Sequence, residues 1–127
     1  MTKADRAEIA HAIAQAEDGT SGRIAVRVIP DRSVDAFERA KREFGALKLH
    51  RYEPRNGALI LVAPNARQFA IIGDKELHER VGGAFWDDVV KETQPYFASG
   101  DTQAGILYAI ARIGEALRQN FGEPATS

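Results

Sequence analysis

The sequence predicts an α/β domain in which helices cover both faces of a small mixed sheet. Three observations carry that expectation. Residues 58–63, Ala-Leu-Ile-Leu-Val-Ala, are apolar at every position, as in a strand covered on both sides. A β-branched run at 24–29 precedes them with a helical stretch between, which predicts parallel strands joined by a right-handed crossover. A tight turn at 64–67 then sends residues 69–72 back as the second strand of a hairpin.

The elements follow in order. Asp5 and Glu8 form a capping-box pattern at the start of a first helix over 5–18. Ile9, Ile13 and Ala16 share one face of it, and Gly19 supplies the stop. Pro30 closes the first strand, and Ser33 is placed to cap the second helix. Val34, Phe37, Ala40, Phe44 and Leu47 recur along that helix at the spacing of one buried face. After the hairpin, a short turn over 75–80 leads to Gly82-Gly83. The next helix carries Phe85, Trp86, Val89, Val90, Thr93 and Phe97, with a kink expected at Pro95. Asp101 or Thr102 caps the last helix, whose Ile106, Ile110, Ile113, Leu117 and Phe121 share a face. No linker divides the chain, so residues 1–121 read as one domain and 122–127 as a frayed tail.

Composition excludes several functions. Seventeen basic residues offset eighteen acidic ones, so no global field gathers nucleic acid or an anionic membrane. The densest basic stretch, 39–42, is interleaved with Glu38 and Glu43 and reads as a solvated helix face. The absence of cysteine removes disulfides, thiolate metal sites and every cysteine nucleophile. The chain opens into a charged amphipathic segment, and its longest uncharged apolar run, 58–64, is too short to cross a bilayer. A cytoplasmic protein without direct membrane insertion is expected.

The predicted topology gathers polar residues on one edge of the sheet. The first strand begins after Ser21-Gly22, the second at Asn56-Gly57, and the third, running oppositely, ends at Gly73-Asp74. Glu17, Thr20, Arg55, Lys75, Glu76 and His78 lie around the same edge, whereas the other gathers only Asp31, Arg32, Asn65 and Arg67. Open parallel sheets commonly bind ligands at the carboxyl ends of their strands, here the poorer edge. The residues outweigh that rule, since function is argued from the site.

Asp74, beside a flexible glycine at a strand exit, offers oxygen ligation to a hard cation and is equally suited to cap the helix beginning at Lys75. Asn56-Gly57 can present an oxygen to the same ion or simply make the turn before the strand. Thr20, Ser21 and Gly22 can offer hydroxyls and amides, or serve as a helix stop. Glu17 and Asp88 are further carboxylates, with solvation and the helix dipole as their simpler roles. Gly73 and Lys75 complete the edge. His11, His50 and His78 lack zinc spacing, and the alternating acids of a calcium loop are missing. A metal site here, with Asp74, Asn56, Glu17 and Asp88 as ligands, is therefore assembled from separate segments.

These same segments carry a family pattern. Thr20-Ser21-Gly22, the run from Asn56-Gly57 to Ala63, Phe69-Ala70-Ile71-Ile72-Gly73-Asp74-Lys75 and Phe85-Trp86 resemble the TPM-domain family. The closing pattern of Phe97, Gly100, Gly105-Ile106, Ile113-Gly114, Leu117 and Phe121 is similar to its short bacterial form, so the resemblance spans nearly the whole chain. It implies an α/β sandwich, here three-layer α/β/α with three to four strands. It also implies divalent-cation binding (calcium in some members), and an acid-phosphatase activity in plant members. Arg23 stands where the family often has an acidic residue, and Glu76 where a glycine is common.

Two functions are expected from this. One is a module binding calcium or magnesium and assisting a protein partner, favoured by the modest polar set and the lack of a recognisable nucleophile–base pair. The alternative is a weakly active, metal-dependent, acid-phosphatase-like hydrolase. A cation would activate water and Lys75 or Arg55 would stabilise developing charge, with no covalent cysteine or aspartyl intermediate. No catalytic residue is assigned.

Overall fold

A computed structural model describes residues 1–51 and 53–122. The chain runs α1 (Lys3–Glu17), β1 (Arg23–Val28), α2 (Ala36–Leu47), β2 (Gly57–Ala63), β3 (Gln68–Gly73), α3 (Lys75–Val81), α4 (Gly83–Ala98) and α5 (Thr102–Phe121). The sheet has the order β1-β2-β3, with β1 and β2 parallel and β2 and β3 antiparallel. This is the expected parallel pair plus hairpin.

The central strand explains the layers. All seven residues of β2 are buried, because its two faces meet different helices. Leu59, Leu61 and Ala63 pack with Ala36 and Ala40 of α2. Ala58, Ile60 and Val62 pack with Ile9 of α1, Leu77 of α3, Val89 of α4 and Ile110 of α5. A fully buried leucine or isoleucine contributes about 2 kcal/mol, so β2 is the centre of a three-layer α/β/α sandwich. Small residues set the closest approaches. A Cβ on Gly22 would overlap Leu117 of α5, and one on Gly73 would overlap the Trp86 ring of α4.

Three local expectations are corrected. The first capping box is Thr2 with Asp5, not Asp5 with Glu8: Asp5 N–H donates to Thr2 Oγ1 at 3.0 Å, and Thr2 N–H donates to Asp5 Oδ2 at 2.9 Å. The second helix is capped by Asp35 rather than Ser33, through a 3.1 Å bond from the Glu38 amide to Asp35 Oδ1. Of the expected face, Ala40 is buried against the sheet with Val34, Phe44 and Leu47 packed beside it, whereas Ala36 takes the place of Phe37, which is 54% exposed under the Lys41 ammonium. Asp101 occupies the N-cap of α5, yet its side chain makes no capping bond. The hairpin turn is a short 3-10 segment, Pro64–Ala66, with Arg67 in the left-handed region at φ 53°. Helix α4 continues through Pro95 to Ala98.

Of the tail expected to fray, only Gly122 lies within the described residues, and it forms an isolated antiparallel bridge with Thr20. Residues 123–127 lie outside them. Among the described residues, no helix is long and apolar enough to cross a membrane.

Candidate functional site at the Asp74 edge

The register brings the three predicted chain segments together. Arg23 lies beside Gly57, and Ala58 lies opposite Gly73, so the starts of β1 and β2 share an edge with the end of β3. A bond from the Asp74 amide to the Gly57 carbonyl at 2.8 Å closes the hairpin there.

Arg55 and Asp74 hold this edge. Asp74 is the N-cap of α3, its Oδ1 accepting from the Lys75 amide at 2.8 Å. The Arg55 carbonyl accepts from the amides of Glu76 at 2.9 Å and Leu77 at 3.2 Å. The Arg55 guanidinium then grips the capping carboxylate in a fork, Nη2 to Oδ1 at 2.7 Å and Nε to Oδ2 at 3.3 Å. The Asp74 side chain is only 3% exposed and that of Arg55 is 38% exposed. Burying a carboxylate is costly unless it is paired and hydrogen-bonded, and both conditions are met here. The Asp74 contact pushes the Arg55 guanidinium above its ordinary range, and the nearby Glu53 and Glu76 carboxylates add to the effect.

The other predicted residues have structural work of their own. The Asn56 side chain is buried and donates from Nδ2 to Ser21 Oγ at 3.0 Å, joining the β1 and β2 loops. Thr20 Oγ1 donates to the Phe121 carbonyl at 2.8 Å and accepts from the Gly22 amide at 3.1 Å, tying the end of α5 to the loop. Glu17 turns inward: its Oε2 accepts from the Ile24 amide at 2.8 Å. Asp88 is exposed on α4 and joins none of these bonds among the described residues. The structure thus unites Thr20, Ser21, Gly22, Asn56, Gly57, Gly73, Asp74 and Lys75, attaches Glu17 to the β1 edge, and leaves Asp88 apart.

The fit to a divalent cation is mixed. The oxygens of Asp74, Asn56 and Ser21 are hard donors of the correct chemistry. The carboxylate, however, already faces a guanidinium, and among the described residues no three His, Cys, Asp or Glu side chains cluster closely enough to hold a metal ion. No preformed cage is present among them.

Residues beyond the expected set also meet here. Glu53, Glu79 and Arg80 join Arg55, Lys75 and Glu76 in lining a groove of about 520 Å³. The helical spacing of Glu79 and Arg80 from Glu76 is the signal that could have found two of them. The opposite edge, which looked poor in sequence, has a groove of about 600 Å³ lined in part by Arg67, Phe69, Gln94, Phe97 and Ser99. One wall comes from the hairpin and the other from the α4–α5 junction, which only tertiary packing brings there.

Comparison with known proteins agrees with the fold and the family pattern. The chain is similar to the BA42 protein of the psychrophilic bacterium Bizionia argentinensis, solved by NMR: 34% identical, TM-score 0.87, covering 96% of this chain and 84% of that one. The N-terminal domain of the cg2496 protein from Corynebacterium glutamicum shares the fold at 17% identity and a TM-score of 0.74, over 100% of this chain and 80% of that one. So does the N-terminal domain of a P. gingivalis protein, at 12% identity and 0.80, over 99% and 83%. No protein of curated function matches the chain. The family profile of the TPM domain matches residues 1–116, and the chain belongs to the TPM-domain family.

Proposed function

We propose that this chain is a non-catalytic binding module of the cytoplasm that assists a protein partner and takes calcium or magnesium weakly at the Asp74 edge. The observation that carries this reading is the Arg55–Asp74 fork, because it makes the buried carboxylate a conditional ligand. A cation competes with the guanidinium for the buried Asp74 carboxylate, and the fork must be broken before it binds. Asn56 supplies the second loop oxygen. Glu17 and Asp88 join only by leaving their present positions. Such competition suits a weak, reversible response better than a permanently loaded catalytic ion.

The test is an amide and arginine side-chain resonance titration of metal-free protein with calcium, then magnesium. The expected result is shifts confined to Gly22, Asn56 and Asp74, with the Arg55 Nε–H signal moving towards that of a solvated arginine. No shift at about 10 mM of either ion, a range that covers the weak calcium sites of extracellular modules, overturns the cation reading.

A weak metal-dependent phosphohydrolase is the second reading. Arg55, Lys75 and Arg80 on the 520 Å³ groove favour it, as cations able to face phosphate oxygens. Glu53, Glu76 and Glu79 on the same groove oppose an anion. Metal-dependent hydrolysis of a generic phosphoester that Lys75→Ala abolishes would favour this reading over the first.

A further inference from the structure

The free side of the sheet at β1 has the geometry of a peptide-binding edge. β1 pairs with β2 on one side only. Backbone groups of successive strand residues point to opposite sides. The Ile29 amide donates to the Val62 carbonyl at 2.9 Å, so Ala25, Arg27 and Ile29 face β2. Ile24, Val26 and Val28 turn their amides outward. Glu17 takes the first of these at 2.8 Å and closes the amino end of the edge. The pairing positions of Val26 and Val28 lie beyond that closure.

A groove of about 410 Å³ runs beside these positions, between β1 and α1. Ile9, Ile13, Val26 and Val28 make it apolar, and Val28 is 39% exposed at the unpaired edge. Arg6 and Arg27 also line it, and no acidic side chain does among the described residues. Arg27 lies along the edge, its Nη1 donating to the Val26 carbonyl at 3.4 Å.

We propose that this groove takes an extended segment of a partner protein, added to β1 as a fourth strand, with apolar residues at alternate positions and acidic residues between them. Side-chain alternation dictates that pattern. Residues of the added strand on the α1 face meet Val26, Val28 and Ile9 and are apolar. Those on the other face meet Arg27 and are acidic. Main-chain bonds supply affinity and the two faces supply specificity. A second copy of this chain is the poorer occupant. Pairing β1 with β1 puts Arg27 of both copies on one face of the joined sheet, where like charges destabilise. This deepens the protein-partner half of the reading above and rests on it, whereas neither Asp74 nor a cation takes part, so its failure and that of the cation half are read separately.

The test uses the full chain without divalent cation and a blocked hexapeptide alternating valine with aspartate. The expected result is saturable shifts at the Val26 and Val28 amides. They should be lost when the peptide backbone is N-methylated at alternate residues, a change that leaves the protein untouched. Arg27→Glu, a substitution at an exposed position, should weaken the acidic peptide about tenfold and strengthen one alternating valine with lysine. Shifts located elsewhere, or equal binding of the N-methylated peptide, overturn the proposal. So do β1 shifts that grow with protein concentration in the absence of peptide, which would make a second copy the occupant.

Discussion

Two arginine–carboxylate pairs on this molecule are alike in chemistry and opposite in setting. Arg55 meets Asp74 at 2.7 Å and Arg112 meets Glu92 at 2.9 Å. Asp74 is 3% exposed and bridges a strand end to a helix start, whereas Glu92 is 38% exposed and joins the neighbouring helices α4 and α5. In the second pair water can replace either partner. In the first, water reaches the guanidinium but not the carboxylate, so Asp74 depends on Arg55, and on the reading proposed above that dependence is what a competing ion would exploit.

The largest effect should come from stranding the buried member. In Arg55→Ala, Asp74 keeps its bond to the Lys75 amide and loses its counter-charge, and an uncompensated buried carboxylate costs about 3 kcal/mol. For a chain of this size that is a fall of roughly 10 °C in melting temperature, measured by thermal unfolding at neutral pH. A fall no larger than that of Arg112→Ala would erase the distinction between the pairs.

Asp74→Asn sharpens the same contrast. The amide oxygen still caps α3, so the expected loss is about 1 kcal/mol. The double variant Arg55→Ala/Asp74→Asn should be more stable than Arg55→Ala alone, because no buried charge remains. Strict additivity in that cycle would mean that the fork contributes no coupling.

How much of this was readable beforehand depends on how local the determinants are. The β2 strand is legible because every residue from 58 to 63 is apolar, and the shared edge follows from the directions of the three strands. The position of Phe37 is not. Val34, Ala40, Phe44 and Leu47 do lie on the sheet side, but Ala36, one residue and about 100° round the helix from Phe37, takes the place expected of the ring. Glu17 reads as solvated in isolation, since nothing nearby in sequence announces that the Ile24 amide lacks a strand partner. Arg55 and Asp74 both fall at the edge, yet their fork joins side chains 19 residues apart, at the two ends of the β2–β3 hairpin. Such a contact depends on distances finer than an element assignment carries.

The smallest expected effects belong to the exposed pair, and they separate by salt and by pH. Arg112→Ala should lower the melting temperature by no more than about 2 °C at low salt, and by less at 1 M salt, where screening is nearly complete. The acid response has a defined sign. The bond from Arg112, with a smaller contribution from Tyr108, holds the Glu92 carboxyl below its ordinary value of 4.5. A group depressed in the folded state stabilises above its unfolded pKa, and that contribution is lost as pH falls through the folded one. The stability difference between wild type and Arg112→Ala should therefore stay constant from neutral pH down to about 5 and close below 4.5. Denaturant midpoints for both proteins across pH 3–7 would read this directly. A difference that widens on acidification would show that the pair acts through something other than the Glu92 charge.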